Sequence, residues 1–555
     1  MSAAQEFFGM PSPLAPQERG GSPGHSGPAV FRLALTEPTA IDPYRSQEVE
    51  GILVTKALFV GLLTVDGEGR LEPAVAHRWD CTDDGLTWTF SLRTDVRFSN
   101  GEPVDADSFR RAWSRACDPV AGSETTYHLA GVEGCADAVA GRTPELSGVL
   151  APDPATLVVR LTAPDFEFDK KTLQPVFSPV PRVAGGALDP VFNDEPVGNG
   201  PFRLDGPWRH HEGIRLVRNE HWFGEPPALD VVEITLLDPA DAVEREYQGF
   251  LDGRFDFARI PPQNLAEAAR SHPDGFLEQD LAGVNYLLPF LMGPPMDRRA
   301  AREAVSWAID RDAIIAEVFG GYRTRAASLV PPSLPGAHQP DLAPSCVRHD
   351  PELARKCAAE AGLSPGTALD LAYNTGAGHE PWIEAVARQL RTVLGLDVRT
   401  HAMTPRQLVE YRTGPDARGL CRAAWAFDYP TPDNVLFPLL HSSCTRPDAD
   451  GVAHGDNEGR YVNPAFDAAL ERARGSRDAA ERDRWFREAE RIAVAEDLAI
   501  VPLWFRTHHR VFDAEAFTGV RLDFYGNPTL PHIRPVSAPP AHEDAAAGAG
   551  PLEGK

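Results

Sequence analysis

A chain of 555 residues with 42% apolar and 24% charged side chains and a mean hydropathy of -0.29 is long enough for two or three hydrophobic cores. Its 80 Asp plus Glu against 54 Lys plus Arg give a formal charge of -26, which opposes nucleic acid and anionic membrane surfaces and weakly favours cationic ligands. The longest apolar runs, such as Tyr286-Leu-Leu-Pro-Phe-Leu-Met292, are far too short to cross a bilayer, which excludes a channel.

Taken in chain order, the N-terminus shows neither the basic opening and apolar run of a secretory signal nor a following Cys to carry a lipid; the expectation is a signal already removed or export by another route. Residues 1–29 and 537–555, rich in Gly, Pro, Ser and Ala, read as disordered tails. Between them strand and helix signals interleave, the mark of a mixed α/β protein. Apolar and polar residues alternate over Leu86-Thr-Trp-Thr-Phe-Ser-Leu-Arg93 behind an Asp84-Gly85 turn, and Leu157, Val159 and Leu161 repeat the pattern. Helical spacing puts Ala301, Val305 and Ala308 on one face, and Trp485, Ala489, Ile492 and Ala493 on another. These stripes read as core.

Three cysteine pairs are close in sequence: Cys117 with Cys135, Cys346 with Cys357, and Cys421 with Cys444. Each pair closes a short loop if the compartment is oxidising, or stays as free buried thiols, and Cys81 is left over. No Cys-x-x-Cys zinc spacing occurs.

Enzymatic motifs are missing. There is no His-Glu-x-x-His, no Gly-x-Ser-x-Gly and no phosphate-binding Gly-x-x-x-x-Gly-Lys-Ser/Thr. The adjacent pairs His210-His211 and His508-His509 point to different sides of any regular element and read as surface histidines. Gly198-Asn-Gly-Pro-Phe202 lacks the third Gly of a dinucleotide loop, and Pro201 removes an amide, so it reads as a structural turn. The chain is expected not to be an enzyme, and no cofactor or metal is called for.

A set of segments in fixed order carries more information. It runs from Leu58-Phe-Val-Gly-Leu-Leu63 and Leu71-Glu-Pro-Ala-Val-Ala-His-Arg-Trp79 through the Thr87 to Arg93 strand, Phe98-Ser-Asn-Gly-Glu-Pro-Val104, Val197 to Phe202 and Arg218-Asn-Glu-His-Trp222. It continues with Asp297-Arg-Arg-Ala-Ala-Arg-Glu-Ala, Ala308-Ile-Asp-Arg311, Val330-Pro-Pro332, Trp425-Ala-Phe-Asp-Tyr-Pro430, Tyr461-Val-Asn-Pro-Ala-Phe466 and Ala499-Ile-Val-Pro-Leu503. Together these resemble the peptide-binding proteins of ABC importers, solute-binding protein family 5 of the oligopeptide permease type. The resemblance implies an α/β, two-lobed periplasmic-binding-protein fold of the large three-domain class, hinged between lobes. It places domain I at 30–59, 185–280 and 506–536, domain II at 60–184 and domain III at 281–505. The implied protein is extracytoplasmic and monomeric, encloses an oligopeptide and delivers it to ABC transporter permease subunits.

A peptide's buried ammonium needs an anion. By resemblance Asp428, in Trp425 to Pro430, supplies it; on residue type alone it reads rather as a loop-capping Asp before Tyr-Pro. The other terminus needs a cation, for which the resemblance offers Arg422 and Arg412, while His379 resembles a histidine that reaches longer peptides; each is otherwise an exposed surface charge. Gln47, Glu48 and Val49 align with a segment that contacts the peptide backbone, although Gln47 stands where an acidic residue is usual. Tyr127, Tyr286, Trp425 and Trp504 are candidate pocket walls or ordinary core. Relatives of this fold that carry nickel complexes, haem or oligosaccharides fit the acidic and arginine anchors less well. The Ala, Arg, Gly and Pro bias, that of a GC-rich actinomycete-like genome, also allows an orphan binding protein dedicated to an antibiotic or clavulanate-type pathway, taking a peptide, arginine-like or peptide-like ligand.

Overall fold

Strict alternation makes Thr87–Leu92 a strand with one face buried, and it sits inside a four-stranded antiparallel sheet ordered Ala76–Cys81, Thr87–Leu92, Thr156–Arg160, Val149–Asp153. Against it packs the helix Ala106–Ala116, started by a capping box in which Asp105 accepts from the Ser108 amide. Its Trp113 is fully buried and donates from Nε1 to the Phe177 carbonyl at 3.0 Å. The structure, a computed structural model, describes residues 27–66, 70–184, 190–334, 336–447 and 451–536. Apart from residues 27–29, the two expected tails lie outside the described residues.

A second sheet runs Val30–Thr36, Val231–Leu237, Gly213–Arg218, Phe202–Leu204, its first pair parallel. The two sheets share one continuous hydrophobic core that includes Phe31, Leu33, Phe90, Trp113 and Ile234. They therefore form one lobe. The turn Gly198 to Phe202 is structural, as read from sequence: Asn199 bonds both the amide (3.1 Å) and the carbonyl (3.0 Å) of Val60. A Cβ on Gly198 would overlap the Leu58 carbonyl at the end of helix Val49–Leu58, so only glycine permits this approach.

The second lobe is built on a seven-stranded sheet. Its main path is Phe257–Arg259, Val501–Phe512, Phe276–Pro289, Leu420–Ala426, Ala368–Asn374, Asp397–Met403, with Thr324–Arg325 added beside Val501–Phe512. One face carries a core with the helices Arg299–Ala308, Pro351–Glu360 and Glu380–Leu394, the other a core with Asp433–Leu440, Pro464–Gly475 and Ala479–Glu490. Ala301, Val305, Ala308, Ala489, Ile492 and Ala493 are buried there, on the faces that their spacing predicts. Two long antiparallel strands, Phe276–Pro289 and Val501–Phe512, reach from this sheet back to the first lobe, where Phe512 joins the first core. Their pairing slips between Asp280 and Val284.

The cysteines correct one expectation. All seven are free thiols. Cys346 lies 3.4 Å from the Ser306 hydroxyl, whereas Cys357 faces Glu303 at 4.0 Å; Cys421 donates to the Arg422 carbonyl, and Cys444 lies beside Ser443. Each member of these two pairs thus has its own surroundings. Cys117 and Cys135 do meet, Sγ to Sγ at 3.6 Å, without a bond between them.

Candidate functional site

The strand Leu420–Ala426 pairs along its whole length with Phe276–Pro289 on one side. On the other, Ala368–Asn374 meets it only at Leu371 with Leu420 and Ala372 with Cys421, then diverges. Among the described residues, the main chain from Arg422 to Ala426 therefore has a free edge whose amides and carbonyls are open to an added strand. Alternation sends Cys421 and Ala423 into the core and Arg422, Ala424 and Ala426 to the accessible face, opposite Leu287, Asn285 and Gly283. The floor beside the edge is made of small side chains. A Cβ on Gly283 would stand 3.0 Å from the Trp425 carbonyl, a tight approach, and 3.5 Å from Cδ of Arg506, which places the Arg506 side chain beside this floor.

Asp428 closes one end. Its Oδ2 accepts from the Tyr127 hydroxyl at 3.2 Å and from Asn434 Nδ2 at 3.3 Å, and its amide donates to Asn434 Oδ1 at 3.0 Å. Trp425 donates from Nε1 to the same Asn434 oxygen at 3.1 Å, which fixes the turn. The Asp428 carbonyl takes Tyr525 Oη at 2.9 Å and the Gln174 amide. Among the described residues no cation pairs with this carboxylate. Burial pushes its pKa up, the bonds from Asn434 and Tyr127 pull it down, and nearby Asp456 pushes it up again. Tyr127 keeps 55% of its surface accessible, yet desolvation raises its phenol pKa, the mark of a side chain facing an enclosed cleft. Tyr127 and Gln174 come from the first lobe, Asp428 from the second.

The other end is cationic. Arg422 makes one bond, to Asn374 Oδ1 at 3.2 Å, and its buried Nε has no partner. Burial lowers its pKa, and the proximity of Arg412 and Arg506 lowers it further. Arg412 lies with Nε 3.1 Å from Glu458, an ion pair without hydrogen-bond alignment, and burial pushes the Glu458 carboxyl up to about 7. His379 lies 3.3 Å from Trp382 Nε1; burial, with Arg422 and Arg506 nearby, lowers its pKa to about 4, so the ring is neutral at pH 7. Arg506 has no hydrogen-bond or ion-pair partner among the described residues; it is accessible, yet burial lowers its pKa.

The remaining candidates are scattered around this cleft. Gln47 is exposed and donates to Glu124. Glu48 accepts the Thr39 amide at 2.7 Å and stands at the start of helix Val49–Leu58, so its side chain is structural. Val49, 40% accessible, has its carbonyl held by Asn527 Nδ2 at 2.9 Å. Tyr286 and Trp504, 3% and 2% accessible, are core; Trp504 packs edge-on to Trp382 and Phe319 at 5.1 and 5.0 Å. Sequence reasoning missed Gln174, Asn374, Arg506 and Tyr525. The one local signal was Arg506, a charge directly after the apolar run Val501 to Phe505.

Residues 70–446, more than half of the chain, match the family described as bacterial extracellular solute-binding proteins, family 5 Middle. The chain belongs to family 5 of the bacterial extracellular solute-binding proteins. It is 29% identical to the periplasmic oligopeptide-binding protein OppA of Salmonella typhimurium and 27% identical to the oligopeptide-binding protein OppA of Bacillus subtilis, in each case over 86% of this chain and 87% of the relative. Among solved structures, the unliganded open form of the periplasmic murein tripeptide-binding protein MppA superimposes with a TM-score of 0.77 at 25% identity, over 92% of this chain and 99% of that one. The two-lobed α/β architecture of this family 5 protein is the one its sequence motifs imply. No helix among the described residues is long and apolar enough to cross a membrane.

Proposed function

We propose that this family 5 protein captures oligopeptides between its lobes, outside the cytoplasm, and hands them to the membrane subunits of an ABC importer, without catalysing a reaction. The peptide adds to the free edge of Arg422 to Ala426, its ammonium meets Asp428 and its far end runs toward Arg422. One observation carries this reading: a half-buried carboxylate with no cation beside it among the described residues, at the end of an unpaired strand edge over a floor of Gly283, Ala424 and Ala426. Such a carboxylate gains most from a ligand that brings a positive charge and hydrogen bonds together. The domain division at 60–184 and 281–505 belongs to the same proposal, with the strand pair Phe276–Pro289 and Val501–Phe512 as the hinge. The dedicated-pathway alternative has no observation of its own in this site.

Isothermal titration with tri- and tetrapeptides and their N-acetylated forms tests the reading. Free peptides bind saturably and acetylation abolishes binding; equal affinity for both forms refutes the anchor.

A further inference from the structure

A cavity of about 270 Å³ opens between Val49, Asn527, Arg506, His508 and the first-lobe strand Val30–Thr36. Its wall holds three arginines, Arg259, Arg506 and Arg510, against two carboxylates, Glu50 and Glu246. Both carboxylates serve Arg259: Glu246 at 2.6 Å and Glu50 at 3.8 Å. Glu50 also accepts from the Thr36 hydroxyl at 3.0 Å. Among the described residues neither of the other two guanidiniums has a carboxylate within ion-pair distance, although Glu246, Asp523 and Glu50 act on Arg510 from farther away. Arg510 is buried and bonds only His508 Nδ1 and the His509 carbonyl, each at 3.1 Å; Arg506 bonds nothing among the described residues.

The unmet groups all donate. Arg259 Nη2 is buried without a partner, and so is His508 Nε2. Burial, with Arg510 and Arg506 nearby, lowers the His508 pKa to about 2, so the ring is neutral; with Nδ1 accepting from Arg510, its one proton sits on Nε2. A protein of formal charge -26 thus keeps one guanidinium without a partner among the described residues, Arg506, a second without an ion pair, Arg510, and two orphan N–H groups around one cavity. Such groups are costly to bury unless an acceptor arrives, and an anion answers all of them at once.

We propose that this cavity is an anion subsite that receives an Asp or Glu side chain of the bound peptide, with Arg506 as the contact at its mouth and Arg510 and His508 behind it. The proposal rests on the peptide-binding reading and adds a selectivity to it. Arg506 is placed for this role: its Cδ lies 3.5 Å from where a Cβ on Gly283 would stand, and Gly283 pairs with Ala426, two residues before Asp428.

Titration calorimetry with C-terminally amidated tripeptides tests it, since amidation leaves no terminal carboxylate to compete. Ala-Ala-Ala-amide is varied at each position in turn to Glu or to its neutral isostere Gln. For one position the Glu peptide binds wild type about tenfold tighter than the Gln peptide, a difference of about 1.4 kcal/mol. In Arg506→Gln that ratio falls to about one. Equal Glu and Gln affinities at every position in wild type overturn the proposal without touching the peptide reading, and so does an unchanged ratio in Arg506→Gln. If free-acid peptides bind and all amidated ones fail, the same Glu and Gln series is read with free C-termini, and equal Glu and Gln affinities at every position there overturn the proposal. If no peptide binds in any form, the underlying reading fails and the subsite falls with it.

Discussion

Replacing Asp428 by Asn keeps the shape of the anchor and most of its bonds, since a carboxamide oxygen still accepts from the Tyr127 hydroxyl and from Asn434 Nδ2. Only the charge is removed. Truncating one partner of a buried, hydrogen-bonded charge pair costs about 2–5 kcal/mol in binding, so at about 3 kcal/mol the dissociation constant rises about 150-fold. The free protein should not lose stability, because the unpaired carboxylate is itself disfavoured by burial. Titration calorimetry and thermal unfolding of both proteins at pH 7 separate the two effects. The pH dependence gives a second readout. The unliganded carboxyl titrates above its ordinary 3.8, and a bound ammonium favours its charged form. Lowering the pH through that raised pKa therefore weakens binding in wild type, and the Asn variant loses this component. A variant that binds within threefold of wild type, with the same pH profile, refutes the assignment.

Filling the floor tests the strand-addition geometry: Ala424→Leu, on the accessible face opposite Asn285, should fold normally and lose at least tenfold in peptide affinity by calorimetry. Glu490 offers a stability test. It is fully buried, accepts the amides of Leu329 and Val330 at 2.6 and 3.0 Å, and burial raises its pKa from 4.5 to about 7. Between those values the unfolded chain has released a proton that the folded chain still holds, so the Glu490 contribution to stability falls as pH rises through this window. Glu490→Gln removes that component, and its advantage over wild type should grow from near zero below pH 4.5 to about 3 kcal/mol at pH 8 in denaturant titrations.

The segments that marked the family were legible because each is fixed by local demands that leave a trace in residue order. Asp105 caps a helix, Asn199 ties two turns together, and the alternation of Thr87–Leu92 follows one buried face. The anchor Asp428 was reached only through such a motif. The free edge was not legible, because it exists where Ala368–Asn374 diverges after Ala372, a matter of three-dimensional register. Arg506 and Tyr525 come from the returning chain and Gln174 from the other lobe, so no spacing links them to Asp428. Closeness in sequence misled for the cysteines: Cys346 and Cys357 have separate neighbours, and Cys117 meets Cys135 only because the end of one helix abuts the start of another. Tyr286 and Trp504 lie on central strands of the large sheet, where large aromatics pack into its two faces.

The bonds that hold Asp428 from outside its own lobe bear on how cargo leaves. Gln174 and Tyr525 grip its main-chain carbonyl and Tyr127 its carboxylate, whereas the strand edge from Arg422 to Ala426 belongs wholly to the second lobe. Parting the lobes breaks those three bonds, while Asp428, its partner Asn434 and the strand edge stay together on the second lobe. On the proposed peptide-binding reading, cargo then travels with the second lobe as the cleft opens and is released from one side only.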